Sequence, residues 1–504
     1  MANREELLII RAARAGQASA QLTLGKRYLF GGAGLPKSLV TALYWLDRAA
    51  QQDEQDAWLL IGRHVPFETV QQAAHPSKLY VWYERAFDAG VAQAGLVLAK
   101  LVLGQADGAV SEAMRSKALR ALQAAAHAGI AEAQWMLAQS LAHADLDPMG
   151  TWPSAAAADN EAMLQWATRA ARSGVAEAQY ALADHAWAGE DRNAFLRWAL
   201  PLARRLVEHG AVQTGAVQAR DLGLVMRCAH VLAASPDADA GEVSRLLEFA
   251  AQSGNRDAQF SLGLRLARMD LHGKRNAAIP GVASYKKAIR WLSLSAEQGS
   301  ADAMHALSRI YTRPECSQRN LADAQRYLEM AAHAGHGVAQ FELGAAAWRA
   351  RREQESNDVR AVWWLQQAQA QGIAEAGELL VKIATPATPA AWAQAALPRV
   401  TREVRDMHPR LTARIEAAAV FGLTRTEALL IDLKAADRGH CLAVDIRAQH
   451  PHSRRRLVVV STASERQALD NIMSLFERAG AGANEAEGNY RQRAYRLKAL
   501  LPEY

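Results

Sequence analysis

The sequence predicts a mainly α fold: a right-handed α-solenoid of helix-turn-helix repeats, followed by a small α+β domain with a β-hairpin. Three observations carry this. Gly90, Gly129, Gly174, Gly254, Gly299, Gly335 and Gly372 each close a small-residue-rich segment, at a period of 36 to 45 residues. Four residues after each glycine stands an alanine, and eight after each a leucine. Finally, the pattern stops at about residue 384, where prolines and then β-type apolar runs begin. Self-similarity at this period marks stacked supersecondary units, none of which can bury its apolar face alone.

The first unit runs from Gly16 through Ala20, Gln21, Leu24, Gly25 and Tyr28 in helix A to Tyr44, Trp45, Ala49 and Ala50 in helix B. Asp53 replaces the turn glycine, and Ala57 and Ile61 keep the register. A turn glycine stops helix B because it takes the left-handed backbone at no steric cost. Alanine pairs just before the turn let helices approach closely, while the leucine and a large apolar residue eight before most turns (Trp82, Trp166, Trp291, Tyr327, Trp364) fill the gap between helices. Insertions are expected at 146–160 and 270–285, and an irregular joint near 210–219, where the register slips. The count is nine helix pairs, one degenerate, plus a last helix near 374–384.

The segments AEAQYALA (176–183), AQFELGAAAW (339–348) and KAIRWLSLSAEQG (287–299) resemble the Sel-one-like repeat family, relatives of tetratricopeptide repeats. The resemblance spans residues 1–384. It implies an α-solenoid with curved surfaces, helix A on the inner curve, protein or peptide partners, and no catalytic residues.

Bulk properties agree. At 504 residues a chain usually holds several domains, but a repeat array grows by adding units. No apolar run of the roughly 18 residues needed for a membrane span occurs. The apolar core of MANREELLIIRAARAG is too short for a secretory signal. Cys228, Cys316 and Cys441 lie far apart, so neither a disulfide framework nor a cysteine zinc site is expected, and a cytoplasmic location is. Alanine and arginine richness together with the resemblance suggests a bacterial source.

Within the array, the tryptophans read as packing rather than a stacking ladder, since they share one repeat position with Leu202, Leu246 and Ala121. Ten residues after the turn, Lys26, Arg63 and Lys100 fall in three successive repeats. They form either a solvated face or a groove for an acidic protein tail. His333 and His336 flank Gly335, with no metal-binding spacing.

TPATPAAWAQAALP (385–398) reads as a Pro-rich linker, and 399–504 as a basic α+β domain. The latter holds 18 Lys+Arg and 13 Asp+Glu, so most of the chain's +6 charge lies there. Its pattern predicts helix over 400–422 broken at Pro409, a helix over 423–439, strands at 440–449 and 455–462, and helices over 463–480 and 490–504.

Three readings of this domain compete. Arg454, Arg455 and Arg456 at the hairpin and Arg491, Arg493, Arg496 and Lys498 on the last helix suit phosphate contacts with nucleic acid. Asp432, Lys434 and Asp445 resemble a metal-dependent nuclease set, though the first two precede the strands. The third and favoured reading is a docking module that binds a protein or caps the last apolar face of the array. The whole chain is then expected to be a non-catalytic protein-interaction scaffold, with no cofactor.

Overall fold

The computed structural model describes residues 4–32, 35–73, 75–105, 111–143, 161–210, 217–235, 239–277, 279, 281–480 and 488–501. The expected insertion at 146–160, most of the expected joint at 210–219 and most of the loop at 481–489 lie outside the described residues. The chain forms two compact units, residues 1–246 and 247–504.

The first unit is built from α1 (Arg4–Arg14), α2 (Ala18–Phe30), α3 (Leu39–Ala50), α4 (Gln55–His64), α5 (Phe67–Gln71), α6 (Tyr80–Asp88) and α7 (Ala92–Leu103). It continues with α8 (Glu112–His127), α9 (Ala131–His143), α10 (Glu161–Arg172), α11 (Ala176–Ala188), α12 (Arg192–Gly210) and α13 (Ala219–Ala234). The division falls within α14 (Ala240–Gln252). The second unit continues the repeats through α15 (Arg256–Ala267), α16 (Tyr285–Glu297), α17 (Ala301–Thr312), α18 (Leu321–His333), α19 (Gly337–Arg349), α20 (Asn357–Ala370) and α21 (Ala374–Ile383). Each A helix packs on the B helix that follows it, as in α2/α3, α7/α8, α15/α16 and α19/α20.

The repeating residues sit where the spacing placed them. The alanines at plus four, from Ala57 to Ala376, are fully buried, and so are Leu98 and Leu307 at plus eight. Gly299 takes φ +84°, and Asp53 at the equivalent turn takes φ +59°. Gly263 serves a different purpose. A Cβ there would lie 2.6 Å from Leu292 Cγ, so glycine lets α15 and α16 touch. Gly263→Ala is therefore expected to overpack this contact and cost about 1–3 kcal/mol, read from a thermal or urea melt.

A second device recurs at plus five. The side-chain amides of Gln21, Gln134, Gln179, Gln259 and Gln340 each donate to the carbonyl eight residues earlier, at Ala13, Ala126, Ala171, Ala251 and Ala332. Each thus caps the end of the preceding B helix, whose last carbonyls have no partner within the helix. Gln52 and Gln298, one residue before the next turn, then donate to Gln21 and Gln259. Gln259→Met keeps the volume but strands the Ala251 carbonyl. The expected loss is about 1–3 kcal/mol, measured by urea denaturation.

After the array come α22 (Ala391–Ala396), α23 (Arg402–Met407), α24 (Pro409–Phe421), α25 (Arg425–Leu430), α26 (Leu433–Ala436), β1 (Cys441–Val444), β2 (Arg456–Val459), α27 (Ala463–Gly480) and α28 (Tyr490–Leu500). The break at Pro409 is present. The helix expected over 423–439 is instead two short ones. The buried Arg414 guanidinium donates to the carbonyls of Ala428 and Ile431, each at 2.8 Å, which ends α25 there. Asp432 then caps α26 by accepting from the backbone of Lys434 and Ala435. The strands are also shorter than expected, because Asp445 accepts from the Arg447 backbone and turns the chain just after β1.

β1 and β2 pair antiparallel, with Cys441 opposite Val459 and Val444 opposite Arg456. Thr385 adds a parallel bridge, donating its N–H to Leu457 O and accepting from Val459 N. The two faces of this hairpin go to different cores. Leu442, Val444, Val458 and Val460 join Leu411, Ile415, Phe421, Leu469 and Ile472 of the C-terminal helices. Cys441, Ala443, Leu457 and Val459 join Val362, Leu365, Ala376 and Leu380 of α20 and α21.

Candidate interaction surfaces

On the A helices, the three predicted cations have different surroundings. Lys26 pairs with Asp56 at 3.0 Å. Lys100 lies between Glu132 and Glu68 and over the Phe67 ring. Both therefore tie one repeat to the next. Arg63 is exposed at the end of α4. Similar cross-repeat pairs recur at Arg220–Glu177 and Arg309–Glu342. At the aromatic position eight before the turn Trp82 and Trp364 are buried and Trp166, Trp291 and Tyr327 half-buried, and arginines lie against three of the rings: Arg85 over Trp82, Arg169 over Trp166 and Arg326 over Tyr327. His333 packs edge-on against Trp364, and His336 caps α19, accepting from Ala339 N at 3.1 Å while its ring stacks on His305. Burial first, then the neighbouring His305, holds His336 down at about 4, so it stays neutral and keeps its acceptor lone pair.

The sequence reading missed a cleft of about 610 Å³ between α3 and the stretch leading into α6. Leu43, Tyr44, Leu79 and Trp82 are among its walls, and Tyr44 is 53% exposed. Its signal in the sequence is Val40 and Tyr44 on a B helix, apolar residues one turn apart that stay exposed while Leu43 beside them joins the core.

The predicted basic cluster of the C-terminal segment divides sharply. Arg455 donates to both carboxylate oxygens of Asp358, at 2.8 and 3.0 Å, and to Glu355 O. Arg456 grips Glu427 with two bonds and also reaches Gly422 O. Arg493 donates to the carbonyls of Leu429 and Gly488. Arg454, Arg491 and Lys498 are exposed, and Arg496 is partly buried. Arg455, Arg456 and Arg493 thus build the fold rather than a phosphate-facing surface. Of the acidic-lysine set, Asp432 is a helix cap, Asp445 is held by Arg447 and Arg455, and Lys434 lies 4.0 Å from Glu477. His440 Nε2 bonds to Val359 O, and burial pushes the Cys441 thiol up to about 12, far from a reactive thiolate.

Three carboxylates here carry an acid sensitivity. Arg447 holds Asp445 down at about 2, against burial. Arg466 lowers Asp437 likewise. Burial tends to raise Glu427, but Arg456 and the Thr424 backbone outweigh it and the net shift is downward. Folded-state values below the ordinary ones mean stability that is fully present above about pH 5 and is lost as pH falls toward 2. Residues 247–504 are expected to unfold over that window, and Arg447→Ala should move the midpoint upward in a pH-dependent fluorescence melt.

Helical hairpins stacked through a recurring turn, a glutamine staple and cross-repeat ion pairs define a helical-repeat protein of the solenoid class. More particularly, four of its segments, residues 18–54, 256–300, 301–336 and 337–373, match the family model of the Sel1 repeat. No curated protein matches the chain. Among solved structures it is similar to a protective antigen of uropathogenic Escherichia coli strains with an SLR fold, at 19% identity and a TM-score of 0.42, covering 100% of this chain and 98% of that one. A Sel1 repeat protein from Oxalobacter formigenes is 20% identical with a TM-score of 0.37, covering 63% and 93%. A putative Sel1 repeat protein from Klebsiella pneumoniae is 21% identical with a TM-score of 0.16, covering 52% and 95%. Among the described residues, no helix is long and apolar enough to cross a membrane.

Proposed function

We propose that the chain is a protein-interaction scaffold rather than an enzyme. The observation that carries this is a division of labour within each repeat. The recurring alanines, leucines, turn glycines and glutamines are consumed by packing and capping. The exposed residues on the same helices differ from repeat to repeat, as Arg63 and Gln139 do at one position. A fixed frame with a varied outer surface suits recognition of a partner along stacked repeats. Arg63 is the member of the predicted cation set best placed to meet an acidic partner, because Lys26 and Lys100 already hold carboxylates. The C-terminal domain serves in this reading as the cap of the array, its hairpin covering α20 and α21.

Affinity purification of the full chain from the cells that produce it is expected to yield at least one protein that captures the chain in the reciprocal experiment. A chain that elutes alone in both directions would sink the scaffold reading.

A further inference from the structure

The insertion expected at 270–285 is fixed in place, yet it turns apolar side chains out to water. Gly254 to Gly299 spans 45 residues, whereas Gly299 to Gly335 spans 36, and the extra length lies between α15 and α16. Asp270 Oδ1 accepts from the backbone N–H groups of His272 and Lys274, and Arg313 of the next repeat donates to Gly273 O at 2.7 Å. Arg268 gathers both arms of the loop. Its carbonyl accepts from Asn276 N at 2.8 Å, and its guanidinium donates to Gly281 O at 2.6 Å. Arg275 and Val282, which adjoin those two partners in the chain, are therefore held near one another.

What this loop and the start of α16 show to solvent is aliphatic and basic. Leu271 is 69% exposed and Val282 94%, the highest value for a large apolar side chain among the described residues. Between Asp270 and Glu297 the chain has no acidic residue, and Lys274, Arg275, Lys286, Lys287 and Arg290 are all exposed. Arg290 lies over the Trp291 ring, and among the described residues none of the five pairs with a carboxylate. Asp270 keeps its own charge, because its donors are neutral, and residues 270–290 still carry a net +4. Lys286 and Lys287 fall in the first turn of α16, where the helix dipole disfavours cations, so these charges do not serve the helix.

Exposed cations alone suit any polyanion, but the aliphatic tips among them narrow the choice. The phosphates of a nucleic acid offer Leu271 and Val282 nothing, and an acidic protein would need a pocket for each. A lipid surface takes aliphatic tips into its headgroup boundary and meets cations with lipid phosphates. We infer that this insertion seats the chain on an anionic lipid surface, with Leu271 and Val282 entering the headgroup layer and the five cations facing its phosphates. The inference goes beyond the scaffold reading and does not depend on it.

Sedimentation of the full chain with lipid vesicles tests it. Binding is expected to vesicles of equal parts phosphatidylcholine and phosphatidylglycerol, and not to phosphatidylcholine alone. Lys286→Glu with Lys287→Glu should lower the partition at least about tenfold. Leu271→Ser with Val282→Ser, which leaves every charge in place, should lower it about threefold or more. All four residues are exposed, so both variants keep the fold, and circular dichroism checks this. Equal binding to both kinds of vesicle, binding to neither, or an unchanged partition in either double variant would overturn the inference. Loss in the charge-reversed variant alone, with duplex DNA bound equally well by the serine variant and the wild type, would assign the patch to nucleic acid instead. Reciprocal capture of a protein partner is expected to survive both variants, so failure here is distinguishable from failure of the scaffold reading.

Discussion

Arg455→Ala is expected to destabilise residues 247–504 by about 3–5 kcal/mol, among the largest effects of any single change in this chain. The two side chains of the Arg455–Asp358 pair are 18% and 14% exposed, so water barely reaches them. The pair is bidentate, and the same guanidinium also satisfies Glu355 O near the start of α20. Removing the arginine leaves the Asp358 carboxylate desolvated and without its main partner. Asp358→Ala leaves Arg455 with Asp445 and Glu355 O as partners and should cost less. The pair itself contributes much less than either deletion suggests, because both ions were taken out of water to make it. Arg455→Met combined with Asp358→Leu is therefore expected to lie close to wild type. A double-mutant cycle by urea denaturation measures this. Single losses below about 1 kcal/mol would show that the pair behaves like a surface ion pair, with hairpin docking resting on apolar contact alone.

Why the array was legible and the C-terminal segment less so follows from where each set of contacts is written. Turn glycine, alanine at plus four and leucine at plus eight recur at fixed spacing, so seven imperfect copies reinforce one another in the sequence. The glutamine at plus five was visible in the same pattern. Its bond to the carbonyl eight residues back was not, because that bond depends on how a B helix ends above it. In the C-terminal segment each contact occurs once. Arg454, Arg455 and Arg456 read as one basic run, yet Arg455 and Arg456 are held by Asp358 and Glu427 from helices distant in sequence. Asp432 and Lys434 read as chemistry because a helix break at Ile431 cannot be foreseen. The break depends on Arg414, 17 residues earlier, reaching its carbonyl. The cleft of α3 and α6 is likewise a relation between two repeats, so no single repeat spells it out.

Leu365→Ala is expected to cost about 2–5 kcal/mol and to loosen the last repeat and the hairpin together. Leu365 is fully buried on α20. It packs toward Gly344 of α19, and it belongs to the core that takes Cys441, Ala443, Leu457 and Val459 from the hairpin. Two strands are marginal by themselves, so β1 and β2 depend on cover from both sides. The C-terminal helices supply one cover through Leu442 and Val458, and the repeat supplies the other. Hydrogen exchange followed by NMR or mass spectrometry separates the outcomes. If the two covers act as one cooperative unit, the amides of Leu442 and Val458 lose protection in step with those of α20. If residues 399–504 form an independent domain, the hairpin keeps its protection while α20 alone exchanges faster. The first outcome would place the end of the array inside the C-terminal segment: the hairpin would stand in for the repeat that would otherwise follow α21, and the alternation of apolar residues along two four-residue strands would be what stops the solenoid.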